Sequence, residues 1–197
     1  MSRTKIPDED RNELRQRLDE NSGHSPEDTA RHRERVEALS AACPHSIKYI
    51  EEGAGNRSDC MVYALEIPIK LVVIAATLDS IVDKFFTVAL PRLLEQVPDS
   101  EVSEGRVVLY FKDGKTKHIG RIQGDRVISK WGKNPVYEHD IFEVPASYGD
   151  EYEFFKQPLP RYITNKFIEF VRRHERYIDI RLGFEDSVQS LETEKGS

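Results

Sequence analysis

Cysteine is scarce in this chain: Cys43 and Cys60 are the two in 197 residues. They cannot form a disulfide framework, and a reducing compartment is the simpler setting. Basic residues are not in excess. With 29 Lys and Arg against 35 Asp and Glu, the net charge is −6. That balance excludes a broad electrostatic footprint for nucleic acid and disfavours docking on an anionic membrane. Long apolar runs are missing too, since the most hydrophobic stretch, 71–90, is interrupted by Asp79, Asp83 and Lys84 and does not read as a membrane span. No apolar core of a secretory signal stands at the N-terminus, so a cytoplasmic location is expected, with export by a route lacking such a signal left open. Gly53-Ala54-Gly55 lacks the lysine and the preceding strand of a phosphate loop, and Cys43-x-His45 alone does not make a zinc site. Neither cofactor nor metal is expected.

What is present divides the chain into a charged helical extension over 1–50, a domain over 51–180 and a polar tail over 181–197. In the extension, Leu14 and Leu18 lie one turn apart in a helix over 9–20. Ser25-Pro26-Glu27-Asp28 is an N-cap, a first-turn proline and two acids. The helix it opens carries Ala30, Val36, Leu39 and Cys43 on one face and stops before Pro44. These helices are expected on the outside of the domain, where a protein partner is possible, and Cys43 reads as a small core-facing residue. Leu71, Ile74, Leu78, Ile81, Phe85 and Val88 recur at helical steps, with a break or kink at Pro91. Strands follow over 106–111, 117–123 and 126–131, joined at Asp113-Gly114 and Gly124-Asp125, with further extended segments over 140–144 and 151–155. A terminal helix over 161–177 carries Ile163, Phe167, Phe170 and Val171. The fold expected is α+β, an antiparallel meander packed on a helix.

That helix begins in Ser58-Asp59-Cys60-Met61-Val62-Tyr63-Ala64-Leu65, where Ser58 is an N-cap and the first N–H groups lack intrahelical partners. A thiolate there is favoured by the dipole. His118 opens the second strand. A two-residue loop at Gly124-Asp125 sets His118 opposite Trp131 and Gly120 opposite Ser129, with these side chains on one face and Lys130 on the other. The parts of a thiol hydrolase are then Cys60 as nucleophile, His118 as base and Ser129 orienting the imidazole. Trp131, Tyr63 and His139 are candidates for the substrate cleft, and His139 could stand in as base. His24, His32, His45 and His174 read as solvated.

Helix-borne Ser-Asp-Cys-Met-Val-Tyr-Ala, followed by Lys-His-Ile-Gly-Arg-Ile and Gly-Asp-Arg-Val-Ile-Ser on consecutive strands, resembles the papain-like NlpC/P60 and CHAP cysteine hydrolases over roughly 52–157. The resemblance implies a papain-like domain and places Cys60 on the nucleophile, His118 on the base and Ser129 on the third position. It implies a thiol protease or amidase cleaving a peptide, amide or thioester through an acyl-Cys60 intermediate. Ser129 departs from the histidine, asparagine, glutamine or acid usual in that family. A rival reading keeps the fold without catalysis, as a binding protein. Another makes the chain an effector or toxin acting on a host protein.

Overall fold

Two tight turns lay down the centre of the sheet. The computed structural model describes residues 4–5, 11–21, 26–51, 60–75, 81–132 and 135–174. Strand β4 (Arg106–Lys112) turns into β5 (Lys115–Gln123) through Asp113 and Gly114, whose φ of 52° and 74° are those of a hairpin turn left-handed at both centres. At the next turn Gly124, at φ 61°, leads into β6 (Arg126–Lys130). The register is the one read from that turn: Gln123 faces Arg126, Ile122 faces Val127 and Arg121 faces Ile128.

Strand β7 (Val136–His139) continues the meander and pairs with β2 (Lys48–Glu51), while β8 (Glu151–Lys156) lies on the other side of β4. With β1 (Thr4–Lys5) on β8, the order is β1-β8-β4-β5-β6-β7-β2, and β3 (Gln96–Val97) also pairs with β8. All these pairings are antiparallel, so the chain is an α+β protein with an open antiparallel sheet. The extended segment expected over 140–144 lies earlier, in β7. Asp140 accepts from the Phe142 N–H at 3.0 Å, and Glu143 accepts from the Asp140 N–H at 3.1 Å. These local bonds turn the backbone out of the ladder.

Alternation divides the sheet into two faces. Val107, Leu109, Phe111, Ile119 and Phe155 point to one face. It is covered by α3 (Cys60–Leu65), α4 (Ile69–Ala75) and α7 (Pro160–His174), and by a run comprising α5 (Ile81–Lys84), a π-helical turn (Phe85–Ala89) and α6 (Leu90–Leu93). Phe85 meets Phe167 edge-on at 5.1 Å in this layer. Val108, Tyr110, Ile122, Val127 and Phe154 point the other way.

The helical run corrects the single periodic helix expected from the sequence. Pro91 has no N–H to give the Thr87 carbonyl, and its ring would strike that carbonyl in an α-helix. The Leu90 N–H instead reaches the Phe85 carbonyl, five residues back. The wider turn puts Leu90 beneath Phe85, both fully buried, and rotates Val88 out to 45% exposed. Ile74 and Leu78 of the expected stripe are outside what is described of side chains.

The N-terminal helices α1 (Asn12–Glu20) and α2 (Pro26–Leu39) are not peripheral. Leu14, Leu18, Val36 and Cys43 form a core with Trp131 and Tyr137 of the meander. Arg15 donates to the carbonyls of Gly149 and Val144, and Asp19 accepts from the Ser147 N–H at 2.8 Å. Glu143, nearly sealed, accepts from Arg11 and from the Ser46 N–H and hydroxyl at 2.5–2.8 Å. Burial alone would raise its pKa, but these bonds and that from the Asp140 N–H outweigh it and hold the carboxyl below its usual value. No helix among the described residues is long and apolar enough to cross a membrane, and the tail expected over 181–197 lies outside them.

Candidate functional site

Residues Cys60, His118 and Ser129 are all in the interior, on two sides of the sheet. Cys60 is the first residue of α3 and is 8% exposed, in the cluster with Val107, Leu109 and Ile119. The cap expected at Ser58 and Asp59 lies outside the described residues. Helix α3 packs over Arg121, whose guanidinium covers the Tyr63 ring at 4.7 Å and pairs with Glu66 at 2.9 Å. His118, next to Ile119, therefore points to the opposite face. There its ring stacks on Tyr148 at a centroid distance of 4.0 Å and an angle of 16°, with Tyr110 at 5.7 Å.

His118 is fully buried, and neither ring nitrogen has a hydrogen-bond partner. A Cys60–His118 hydrogen bond is thus not formed. Burial, with the nearby His139 adding to it, drives the imidazole pKa well below its ordinary value, which weakens it as a base. Tyr148, stacked on His118, also lies within electrostatic range of Cys60. Burial raises its phenol well above the ordinary value, and a Cys60 thiolate would raise it further.

Ser129 shares the face of His118, as the register predicts: a Cβ on Gly120 would lie 3.2 Å from the Ser129 Cβ and 2.3 Å from Val127 Cγ1. Its hydroxyl, however, serves His139. The His139 Nδ1–H donates to the Asp140 carbonyl at 2.7 Å, which leaves Nε2 as the acceptor for the Ser129 O–H at 2.7 Å. The Trp131 Nε1–H donates to the same Ser129 oxygen at 3.0 Å. The orienting role expected of Ser129 toward His118 is replaced by this Trp131–Ser129–His139 chain.

The cleft candidates do not converge either. Trp131 and His139 are fully buried on the His118 side. Tyr63 lines a shallow cleft with Arg121, Ile128 and Glu138 on the α3 side. Buried Lys130 also projects from β6 on the α3 side, and sequence reasoning assigned it no role.

His32, expected to be solvated, is fully buried. Its Nδ1 is 2.8 Å from the Tyr137 hydroxyl, and its ring is edge-on to Trp131 at 5.9 Å. Sequence reasoning missed it because its apolar neighbours come from a distant strand. Burial lowers the pKa of both His32 and His139 to about 4. Three neutral histidines thus line the interface between the N-terminal helices and the meander.

Replacing Ser129 with alanine is expected to leave the Trp131 N–H and the His139 Nε2 unpaired, at a cost of about 2–4 kcal/mol. Urea unfolding followed by Trp131 fluorescence measures it. Unchanged stability would contradict the assignment.

Among the described residues no group of three His, Cys, Asp or Glu side chains is placed to hold a metal ion. Comparison with family models, curated proteins and solved structures gives no match.

Proposed function

We propose that this chain is a non-catalytic binding protein built on a papain-like order of elements. The order supports the papain-like part: a cysteine opening α3, a histidine on β5 and a hydroxyl on β6. The observation that carries the non-catalytic part is the sealed imidazole of His118, unpartnered and turned to the face away from α3. A hydrolytic dyad needs its base within about 2.6–3.2 Å of the group it deprotonates, or looser by a small movement in the free enzyme. Here neither imidazole nitrogen has a hydrogen-bond partner, so no such dyad is assembled.

Thiol reactivity tests this reading. Cys43 and Cys60 are 7% and 8% exposed, so iodoacetamide at mildly acidic pH should alkylate both slowly and at comparable rates, followed by peptide mass spectrometry. Alkylation of Cys60 more than about tenfold faster than Cys43 would restore the acyl-Cys60 hydrolase.

A further inference from the structure

A binding protein needs a surface, and one stands out. Between α7 and the α5–π–α6 run lies an open groove of about 590 Å³. Its apolar lining includes Val88, Ala89, Leu93 and Phe170, and its rim carries Lys84, Arg92, Lys166 and Arg173 against a single acid, Glu169. Glu169 is already engaged by Lys166 at 3.0 Å and by Arg173 at 4.0 Å. Lys84 and Arg92 have no ion pair among the described residues. The basic concentration occurs on a chain of net charge −6.

Two features mark the groove as more than a packing defect. The π-helical turn presents Val88 at its mouth, 45% exposed, where an ordinary α-turn would have kept it in the core stripe. His174 also stacks on Phe170 at 4.1 Å and gives the far wall an aromatic surface.

We infer that this groove seats an acidic amphipathic helix of a partner protein. Apolar residues of the partner at three- and four-residue spacing would enter between Val88, Leu93 and Phe170, and its flanking Asp and Glu would meet Lys84, Arg92 and Arg173. A cleft between two helices matches a helical ligand. An anionic bilayer would meet a concave site on a net acidic molecule. This inference rests on the binding reading, and its test is independent of Cys60.

The probe is a fluorescein-labelled designed helix with Leu at positions i, i+4 and i+7 and Glu elsewhere, titrated into the full chain and read by anisotropy. Saturable binding is expected, weakening at least tenfold from 50 to 300 mM salt. Lys84→Glu/Arg92→Glu and, separately, Val88→Asp should each weaken it at least tenfold with unchanged circular dichroism. Val88 and the rim charges are solvent-facing, so these variants keep the core.

Four results would overturn the inference: no binding, equal binding to the variants, equal binding of the peptide with Lys in place of Glu, or groove-dependent sedimentation with phosphatidylserine vesicles. Two others would assign the groove to a different occupant. One is a tenfold affinity gain on deleting 181–197, a stretch that contains Phe184, Val188 and Leu191 among the acids Glu185, Asp186 and Glu192. The other is self-association lost in the charge-reversed variant. Fast alkylation of Cys60 would sink the binding reading and leave the peptide result standing, whereas failure of the peptide sinks the groove alone.

Discussion

Acidification from pH 7 toward pH 4 is expected to unfold this protein. His32, His118 and His139 are fully buried in the fold, and burial lowers the pKa of all three, to about 4 for His32 and His139. In the unfolded chain each returns to about 6.5. Between these values the unfolded state binds more protons than the native one, so stability falls as pH falls. Above pH 6.5 the contribution is complete. Below it, each histidine removes about 1.4 kcal/mol per pH unit, and three together about 4. Over the roughly 2.5 units from pH 6.5 to 4 the three remove about 10 kcal/mol, most or all of the roughly 5–15 kcal/mol that holds a domain folded.

Trp131 is the one tryptophan of the sequence and packs 5.7 Å from His139, so its fluorescence reports the event directly. Urea midpoints at pH 7, 6 and 5 should drop steeply, and His139→Gln should flatten the slope by about a third. A midpoint unchanged from pH 7 to 5 would contradict the buried, neutral state of these rings.

The second large effect is at Gly149. It sits at φ 125°, a conformation side chains rarely adopt, and an added Cβ would lie 2.1 Å from the Phe111 carbonyl oxygen and 2.4 Å from its carbon. Neither atom is a flexible side-chain tip. The Asp150 N–H bonds that same Phe111 oxygen at 3.1 Å, and Arg15 donates to the Gly149 carbonyl. Gly149→Ala is therefore expected to cost at least about 4 kcal/mol. It should also loosen Tyr148 from His118 and α1 from the sheet. Gly124→Ala is the control: its φ is 61° and nothing lies within 4 Å of the added carbon, so about 1 kcal/mol is expected. Thermal melts of the two variants compare them, and equal costs would contradict the packing of the 146–149 turn.

Much of the sheet was legible because hairpin chemistry is local. Asp113-Gly114 and Gly124-Asp125 fix the turns, and the second fixes the register that puts His118, Gly120 and Ser129 on one face. Edge strands β1, β2 and β3 were not legible. They run two to four residues and exist through pairing with distant partners rather than through any pattern of their own.

Alternation also says which side chains share a face but not which layer covers it. His118 and Ser129 were placed together correctly, yet α3 packs over Arg121 and Tyr63 on the other side. The N-terminal helices supply the cover on the His118 side. Their polar composition hid that role, because Arg15 and His32 are buried by hydrogen bonds to segments more than 100 residues away. The π-helical turn escaped for a similar reason. Periodicity carries Val88 onto the buried stripe, and only the carbonyl blocked by Pro91 shifts the phase.

The separation of Cys60 from His118 is tested most directly by the titration of the His118 ring, followed by proton–carbon NMR in the wild type and in Cys60→Ser. A neutral imidazole is expected, with no titration in the ordinary histidine range and the same chemical shifts in both proteins. A His118 resonance that titrates between pH 6 and 9 and moves when the thiol is replaced would place sulfur and imidazole in one ion pair, and the protein would then be a cysteine hydrolase.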